Sequence, residues 1–181
     1  LKTDDFVMTF ARHKTNINCY FAVYLLKYNH YSIKKSKTPY MSEFTKSIDY
    51  IALCEGDDYW TDPLKLQIQY DFLKHNPEYS FCCHRYHIYE QNKNRYLKEY
   101  AFNYYKEGED LEISEDLMLK IWVTQTMSTM IPEKLWKSVI IKKKPYVYSR
   151  DVHTYYFLLK EGKGVSLNRN MGVYRWHDSG V

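Results

Sequence analysis

Residues 50–63 read Tyr-Ile-Ala-Leu-Cys-Glu-Gly-Asp-Asp-Tyr-Trp-Thr-Asp-Pro, an apolar run that passes directly into three carboxylates and then into a helix start. Residues 51–54 are predicted to form a short buried strand. Glu55, Asp57 and Asp58 then fall at the carboxyl end of that strand, where open α/β sheets bind their ligands. Because adjacent Asp57 and Asp58 repel each other, a fold that brings them together needs a divalent cation, a basic neighbour or a shifted pKa.

A plainer interpretation fits the same residues. Acidic turns are common before helices, where a side-chain oxygen accepts hydrogen bonds from the first backbone amides. The helix would begin near Thr61 or Asp62. The stretch alone leaves both interpretations open.

The bulk composition is that of a globular domain. The chain has 181 residues, of which 45% are hydrophobic and 27% charged, and this suits one compact domain. A formal net charge of +4 is too small to indicate nucleic-acid binding, so we expect no nucleic-acid partner. The twenty tyrosines stand out. Their rings suit sugars, nucleobases or a membrane interface, although packing is their commoner role.

Cysteine usage and hydropathy bear on the compartment. The four cysteines, at positions 19, 54, 82 and 83, lack CxxC spacing, which argues against a zinc site or a disulfide framework and favours a reducing, cytoplasmic setting. No run approaches roughly 18 consecutive apolar residues, so no membrane span is predicted. The basic run Lys142-Lys-Lys144 leaves open a peripheral contact with the inner face of the plasma membrane, although a solvated turn is the more common role. Because the chain begins at Leu1 without Met and enters structured sequence at once, we expect a fragment.

Short strands and helices alternate along the chain, which predicts an α/β sandwich around a mostly parallel sheet. Besides residues 51–54, strands are predicted at 20–26, 79–89, 165–167 and 171–175, and helices at 40–47, 111–121, 132–140 and 150–160, with Ser149 as an N-cap and a further helix opening at Thr61-Asp62-Pro63. Residues 91–110 are expected to form a long loop or an exposed hairpin. The Thr-rich segment 123–129 is predicted to be a strand that lines a cleft.

Three stretches together closely resemble bacterial family 2 glycosyltransferases of the GT-A fold, of the surface-polysaccharide type. They are residues 50–69, the following Asn76-Pro-Glu-Tyr-Ser80, and the closing Met171-Gly-Val-Tyr-Arg-Trp-His-Asp-Ser-Gly-Val181. The resemblance extends from about Phe21 to the last residue. It implies a single domain over residues 1–181, a three-layer sandwich around a mostly parallel mixed sheet. The first β-α-β unit of that fold would be largely missing at the amino end.

The family carries a short acidic motif of the DXD type, which here corresponds to Glu55-Gly56-Asp57-Asp58. By analogy, Asp58 ligates Mg²⁺ or Mn²⁺, Asp57 assists the metal or binds near the ribose, and Glu55 is a secondary carboxylate of the nucleotide site. Hard carboxylate oxygens suit these ions. A bound cation can neutralise the charge that develops on a leaving nucleoside diphosphate.

The resemblance assigns further roles downstream. An inverting transfer needs a general base, and Asp151 matches the family's carboxylate at the start of a later helix, although it could instead only stabilise the helix N-terminus. Arg175 is implied to bind diphosphate oxygens. His177 would bind phosphate or complete the metal shell, with a structural role as the alternative. Tyr59 and Trp60 either contact the acceptor sugar or anchor a helix to the sheet.

The activity implied by the resemblance is a metal-dependent, inverting glycosyl transfer of the hexosyltransferase type. The donor would be a nucleotide sugar, a UDP-sugar by analogy, and the acceptor a glycan or a lipid-linked glycan in cell-surface polysaccharide biosynthesis. The alternative is a non-catalytic remnant that binds sugar nucleotides or glycans, which the missing amino-terminal unit motivates.

Overall fold

A computed structural model describes residues 1–30, 32–36, 38–41, 44, 47–143 and 151–178 of the chain. The chain divides into two compact units, Leu1–Ser47 and Ile48–Val181. Each unit has its own sheet.

The first unit is built on a β-hairpin. Strands β1 (Phe6–Arg12) and β2 (Tyr20–Leu26) pair antiparallel, from Phe6 opposite Leu26 to Arg12 opposite Tyr20. The short helix α1 (Thr38–Met41) brings Tyr40 against the hairpin, with its ring centroid 4.7 Å from that of Phe6. The unit therefore has a small aromatic core on one side of its two strands.

The second unit is a seven-stranded mixed sheet with helices on both faces. Its strands are β3 (Tyr50–Ala52), β4 (Tyr59–Trp60), β5 (Tyr79–Glu90), β6 (Arg95–Lys98), β7 (Leu111–Ile113), β8 (Met130–Pro132) and β9 (Lys163–Trp176). Its helices are α2 (Lys65–His75), α3 (Glu115–Lys120), α4 (Glu133–Lys143) and α5 (Asp151–Glu161). The order β3-β8-β5-β9-β4 forms the main path, with β6 beside β5 and β7 beside β9.

The core of this unit lies on both sides of β5. Phe81 and Cys83 pack with Val139 of α4 and Leu158 of α5. Cys82, between them, faces the other way and packs with Leu73 of α2. Because successive strand residues point to opposite faces, the apolar run of β5 needs helices on both sides. The α/β class predicted from the sequence is confirmed.

The expectation of a mostly parallel sheet is wrong for the described residues. Only β5 and β9 run parallel, and the other five pairings in this sheet are antiparallel. One cause is visible in β6, because the single 3₁₀ turn Gln91–Lys93 reverses the chain and leaves no room for a crossover helix.

Several predicted elements agree with the structure and others do not. The predictions for β2, β5, α4, α5 and a hairpin after residue 90 are confirmed, and the helix opened by Thr61-Asp62-Pro63 begins at Lys65. Residues 111–113 form a strand rather than a helix start, and the two strands expected at 165–167 and 171–175 are one continuous strand. Segment 123–129 is a largely buried loop with a 3₁₀ turn, not a strand. Strand β3 ends at Ala52 and is only half-buried. Most of the helix predicted at 40–47, and the N-cap Ser149, lie outside the described residues.

Candidate functional site

The acidic motif forms a turn between β3 and β4. The Asp58 amide donates to the Glu55 carbonyl over 3.2 Å, which closes the turn. The chain then enters β4, where Tyr59 pairs with Val173 and Trp60 with Gly172 of β9. This pairing brings the turn beside the carboxyl end of β9, which carries the Tyr174-Arg175-Trp176-His177 sequence.

Two hydrogen bonds connect the acidic turn to that end of β9. The backbone amide of Arg175 donates to Asp58 Oδ1 over 2.9 Å. His177 Nε2 lies 3.1 Å from Asp57 Oδ2, where it can form an ion pair when the imidazole is protonated. Residues separated by more than a hundred positions in the chain therefore meet in one site.

The turn that leads into α2 is held by a different carboxylate. Asp62 Oδ1 accepts from the Leu64 amide at the start of α2 over 2.8 Å, and Asp62 Oδ2 lies 2.7 Å from Arg169 Nη2. The bonds made by Asp57 and Asp58 run instead to the end of β9. The interpretation of Glu55–Asp58 as a helix cap is therefore not supported by the geometry.

The protein separates the pKa values of the adjacent aspartates. The hydrogen bond from His177 lowers the pKa of Asp57. Burial raises the pKa of Asp58, and the Arg175 amide opposes that rise. Two neighbouring carboxyl groups repel each other when both are charged, and different environments that move their pKa values apart relieve this repulsion. Such pairs of carboxyl groups occur in active sites.

Glu55 links the turn to the start of α5. Burial is the main cause that raises its pKa, a hydrogen bond with Thr126 opposes the rise, and the negative charges of Asp58, Asp151 and Asp57 add to it. Asp151 is the first residue of α5 and is exposed to solvent. Since its charge acts on Glu55, the predicted base and the acidic turn lie within electrostatic range of each other.

Arg175 is held partly by its own sheet. Its Nη2 donates to Gln91 Oε1 over 2.9 Å, and its Nε is buried without a hydrogen-bond partner among the described residues. Its positive charge contributes to the lowered pKa of Asp57 and opposes the rise in the pKa of Asp58. The side chain thus places a cation beside the two aspartates.

The aromatic pair divides into an anchor and an exposed ring. Trp60 Nε1 donates to the Met127 carbonyl over 2.7 Å, and Lys65 Nζ lies 4.2 Å from the centroid of its ring. These contacts fit the anchoring role for Trp60. Tyr59 is 39% exposed, and its hydroxyl lies 3.2 Å from that of Tyr96, so it is the member of the pair that a ligand can reach.

The carboxylates of the acidic turn are the groups that could bind Mg²⁺ or Mn²⁺. Within the described residues, no group of three His, Cys, Asp or Glu side chains is arranged to hold a metal ion. Mg²⁺ is usually held by one or two carboxylates, with substrate phosphates and water as the other ligands. Asp57 and Asp58 match that smaller donor set in residue type and position, and they would be the residues that hold the ion.

Sequence reasoning missed several residues that support the site. Thr126 lowers the pKa of Glu55, Gln91 accepts from Arg175, and the Tyr96 hydroxyl lies beside that of Tyr59. At Gly172, a Cβ would lie 2.5 Å from Met127 Cε and 3.2 Å from the Tyr59 carbonyl oxygen, so glycine lets β4 approach β9 closely. The sequence signals were regional: Thr126 lies in the Thr-rich segment 123–129, and Gln91 and Tyr96 lie in the polar tract 91–110.

None of the helices in the described ranges has the length and apolar character needed to cross a lipid bilayer. Of the predicted basic run, Lys142 is ion-paired with Glu161, and Lys144 lies outside the described residues.

Comparison with known proteins gives little on function. No family model matches the chain. A 36-residue stretch, 20% of this chain, is 61% identical to uncharacterized proteins of Mycobacterium bovis and of two strains of Mycobacterium tuberculosis. The match spans only 10% of the length of those relatives.

Proposed function

We propose that the protein is an inverting glycosyltransferase of the GT-A type that moves a sugar from a nucleotide donor, a UDP-sugar, to a glycan or lipid-linked acceptor. The observation that carries this proposal is the attachment of Asp57 and Asp58 to His177 and the Arg175 amide. Two carboxylates and two basic side chains in one place suit a complex of a divalent cation and a diphosphate.

Each residue has a role in this proposal. Asp57 and Asp58 would hold Mg²⁺ or Mn²⁺, and Arg175 and His177 would bind the diphosphate oxygens. When bound, the cation supplies positive charge that stabilises the leaving diphosphate. Glu55 is a further carboxylate of the nucleotide site, and burial raises its pKa there.

Asp151 is the proposed general base. It is an exposed carboxylate at the start of α5, and its charge reaches Glu55 in the acidic turn. A base on the acceptor side accepts the proton of the attacking hydroxyl while the bond between the anomeric carbon and the diphosphate breaks. In this proposal the ring of Tyr59, which is 39% exposed, contacts the acceptor sugar. We also propose a cytoplasmic location, where nucleotide sugars would be the donors.

The test is turnover by the full-length protein with UDP-sugars and Mn²⁺, measured as donor hydrolysis or transfer. Asp58→Ala and Asp151→Ala should each lower kcat by about 100-fold or more, the range for loss of a general base or a charge-stabilising group. Asp116→Ala, which removes an exposed carboxylate at the first turn of α3, is the matched control and should keep the wild-type rate.

Wild-type rates in both variants would show that the metal and base roles are wrong. UDP binding without any turnover would favour the non-catalytic remnant. A protein that binds no UDP at all would remove both alternatives.

A further inference from the structure

The hairpin of the first unit has an uncharged outer face. In the antiparallel register, Val7 lies opposite Leu25, Thr9 opposite Val23 and Ala11 opposite Phe21, so these six residues share one face. Leu25 is 60% exposed, Val23 49% and Phe21 47%. An exposed apolar face of this kind marks an interaction surface.

The opposite face of the hairpin is packed within the unit at the Phe6 end, whereas Phe10 and Tyr20, toward the tip of that face, are 53% and 52% exposed. Phe6 is buried, and its ring lies 5.0 Å from that of Tyr24 and 4.7 Å from that of Tyr40. The exposure along β2 alternates accordingly, with Ala22, Tyr24 and Leu26 less exposed than their neighbours. The outer face is therefore additional to the aromatic core and plays no part in forming it.

The charge near the hairpin tip is positive. From Phe6 to Ser42 the sequence contains six Lys or Arg and no Asp or Glu, while Asp4 and Asp5 directly precede β1 at the end away from the tip, where Asp5 pairs with Lys35. Two of these cations, Arg12 and Lys14, flank the hairpin tip, where Ile17 is 61% exposed. Arg12 Nε donates to the Ile17 carbonyl over 2.7 Å, which fixes a cation next to an apolar side chain. Lys27 follows directly after β2, at the other end of the face.

We propose that this hairpin docks on an anionic lipid bilayer, with the outer face and Ile17 at the acyl boundary and Arg12, Lys14 and Lys27 among the headgroups. Surface-bound membrane elements combine apolar side chains on one face with cations that contact anionic lipid. Nucleic acid would match the charge equally well. It fits the outer face less well, because single strands bind through several stacked aromatic rings whereas Phe21 is the one aromatic residue among the six of that face. The inference does not depend on the proposed transferase activity.

The experiment is sedimentation of the protein with equimolar phosphatidylcholine and phosphatidylglycerol vesicles, with pure phosphatidylcholine vesicles as the uncharged comparison. Binding should require phosphatidylglycerol and weaken with salt. The double substitution Arg12→Gln with Lys14→Gln should lower the partition coefficient about fivefold per cation. Val23→Ser with Leu25→Ser should lower it about tenfold or more, because the apolar contact is lost.

The matched control is Lys120→Gln with Lys134→Gln, which removes two exposed cations from helices of the second unit. If this control weakens binding as much as the hairpin pair, or if the wild-type protein does not sediment with anionic vesicles, the proposal is wrong. Release from the vesicles by a single-stranded oligonucleotide, with the same dependence on Arg12 and Lys14, would assign the surface to nucleic acid instead.

A second measurement guards against misfolded variants. An environment-sensitive fluorophore on Cys19, near the hairpin tip, is used in otherwise unchanged Cys54→Ser protein, because the remaining two cysteines are buried. Anionic vesicles should shift its emission to shorter wavelength. Sedimentation without that shift would place the contact elsewhere on the protein and overturn the proposal.

Discussion

Lys65 allows a quantitative test of how the site is supported. It is 1% exposed at the first position of α2, with its Nζ over the Trp60 ring and 2.6 Å from Gln69 Oε1. Gln69 Nε2 in turn donates to the Ser128 and Cys82 carbonyls. We choose Lys65→Met, which keeps the length of the side chain and removes the charge.

Burial lowers the pKa of Lys65 to about 8 from its ordinary 10.5. Below about pH 8 the amine is charged in the folded and the unfolded chain, and the folded state carries the full cost of burying it. Between about 8 and 10.5 the folded chain releases its proton first, so stability rises with pH. At about 1.4 kcal/mol per pH unit, the gain is about 3 kcal/mol.

The assay is urea unfolding of both proteins, followed by tryptophan fluorescence from pH 7 to pH 10.5. The difference between the two proteins is the quantity to read, because burial raises the pKa values of Tyr and Cys side chains that titrate in the unfolded chain, and this contribution to the free energy of unfolding is common to both proteins. The free energy of unfolding of wild type should rise by about 3 kcal/mol relative to Lys65→Met. Lys65→Met also loses the hydrogen bond to Gln69, and this loss changes the free energy of unfolding by about the same amount at every pH. If the difference in the free energy of unfolding between the two proteins does not change with pH, Lys65 is not a buried amine with a lowered pKa.

Three further predictions concern the site and its frame. In His177→Ala, the pKa of Asp57 should rise toward its ordinary 3.8, which NMR of the carboxyl group would detect. In the wild-type protein the Asp57–His177 pair stabilises the fold by about 1 kcal/mol or less. This stabilisation is present above pH 3.8 and is lost as the pH falls through the lowered pKa of Asp57. Gly164→Ala should lower the free energy of unfolding by about 1–3 kcal/mol, because its Cβ would lie 2.5 Å from Phe81 Cζ in the core; an unchanged urea midpoint would contradict this. Ser114→Ala should lower it by about 1 kcal/mol through loss of the α3 cap, and Ser114→Asp, which can cap, should restore it.

The sequence correctly predicted the helices and strands whose conformation depends on neighbouring residues in the chain. β5 was recognised from its alternating and apolar residues, and the α2 start from Pro63, because both signals act over a few neighbouring positions. Two separate strands were predicted on either side of Asn168-Arg169-Asn170. β9 continues through it, with Asn168 and Arg169 held by Asp110 and Asp62.

The candidate site was predictable in its residues and not in its geometry. The carboxylates and basic groups were identified from motif resemblance, and their meeting depends on the pairing of β4 with β9, which joins distant parts of the chain. Strand β7 was misread as a helix start for the same reason, because three residues hold their extended form only through pairing with β9. Such tertiary pairing overrides local preference.

The central claim is that Asp57 and Asp58, with Arg175 and His177, bind a nucleoside diphosphate together with a divalent cation. Calorimetric titration of UDP into the protein, with and without Mn²⁺, tests it most directly. We predict saturable UDP binding that needs Mn²⁺, weakened about tenfold or more by Asp58→Asn and unchanged by Asp116→Asn. Absence of UDP binding in the presence of Mn²⁺, or equal affinity in wild type and Asp58→Asn, would contradict the claim.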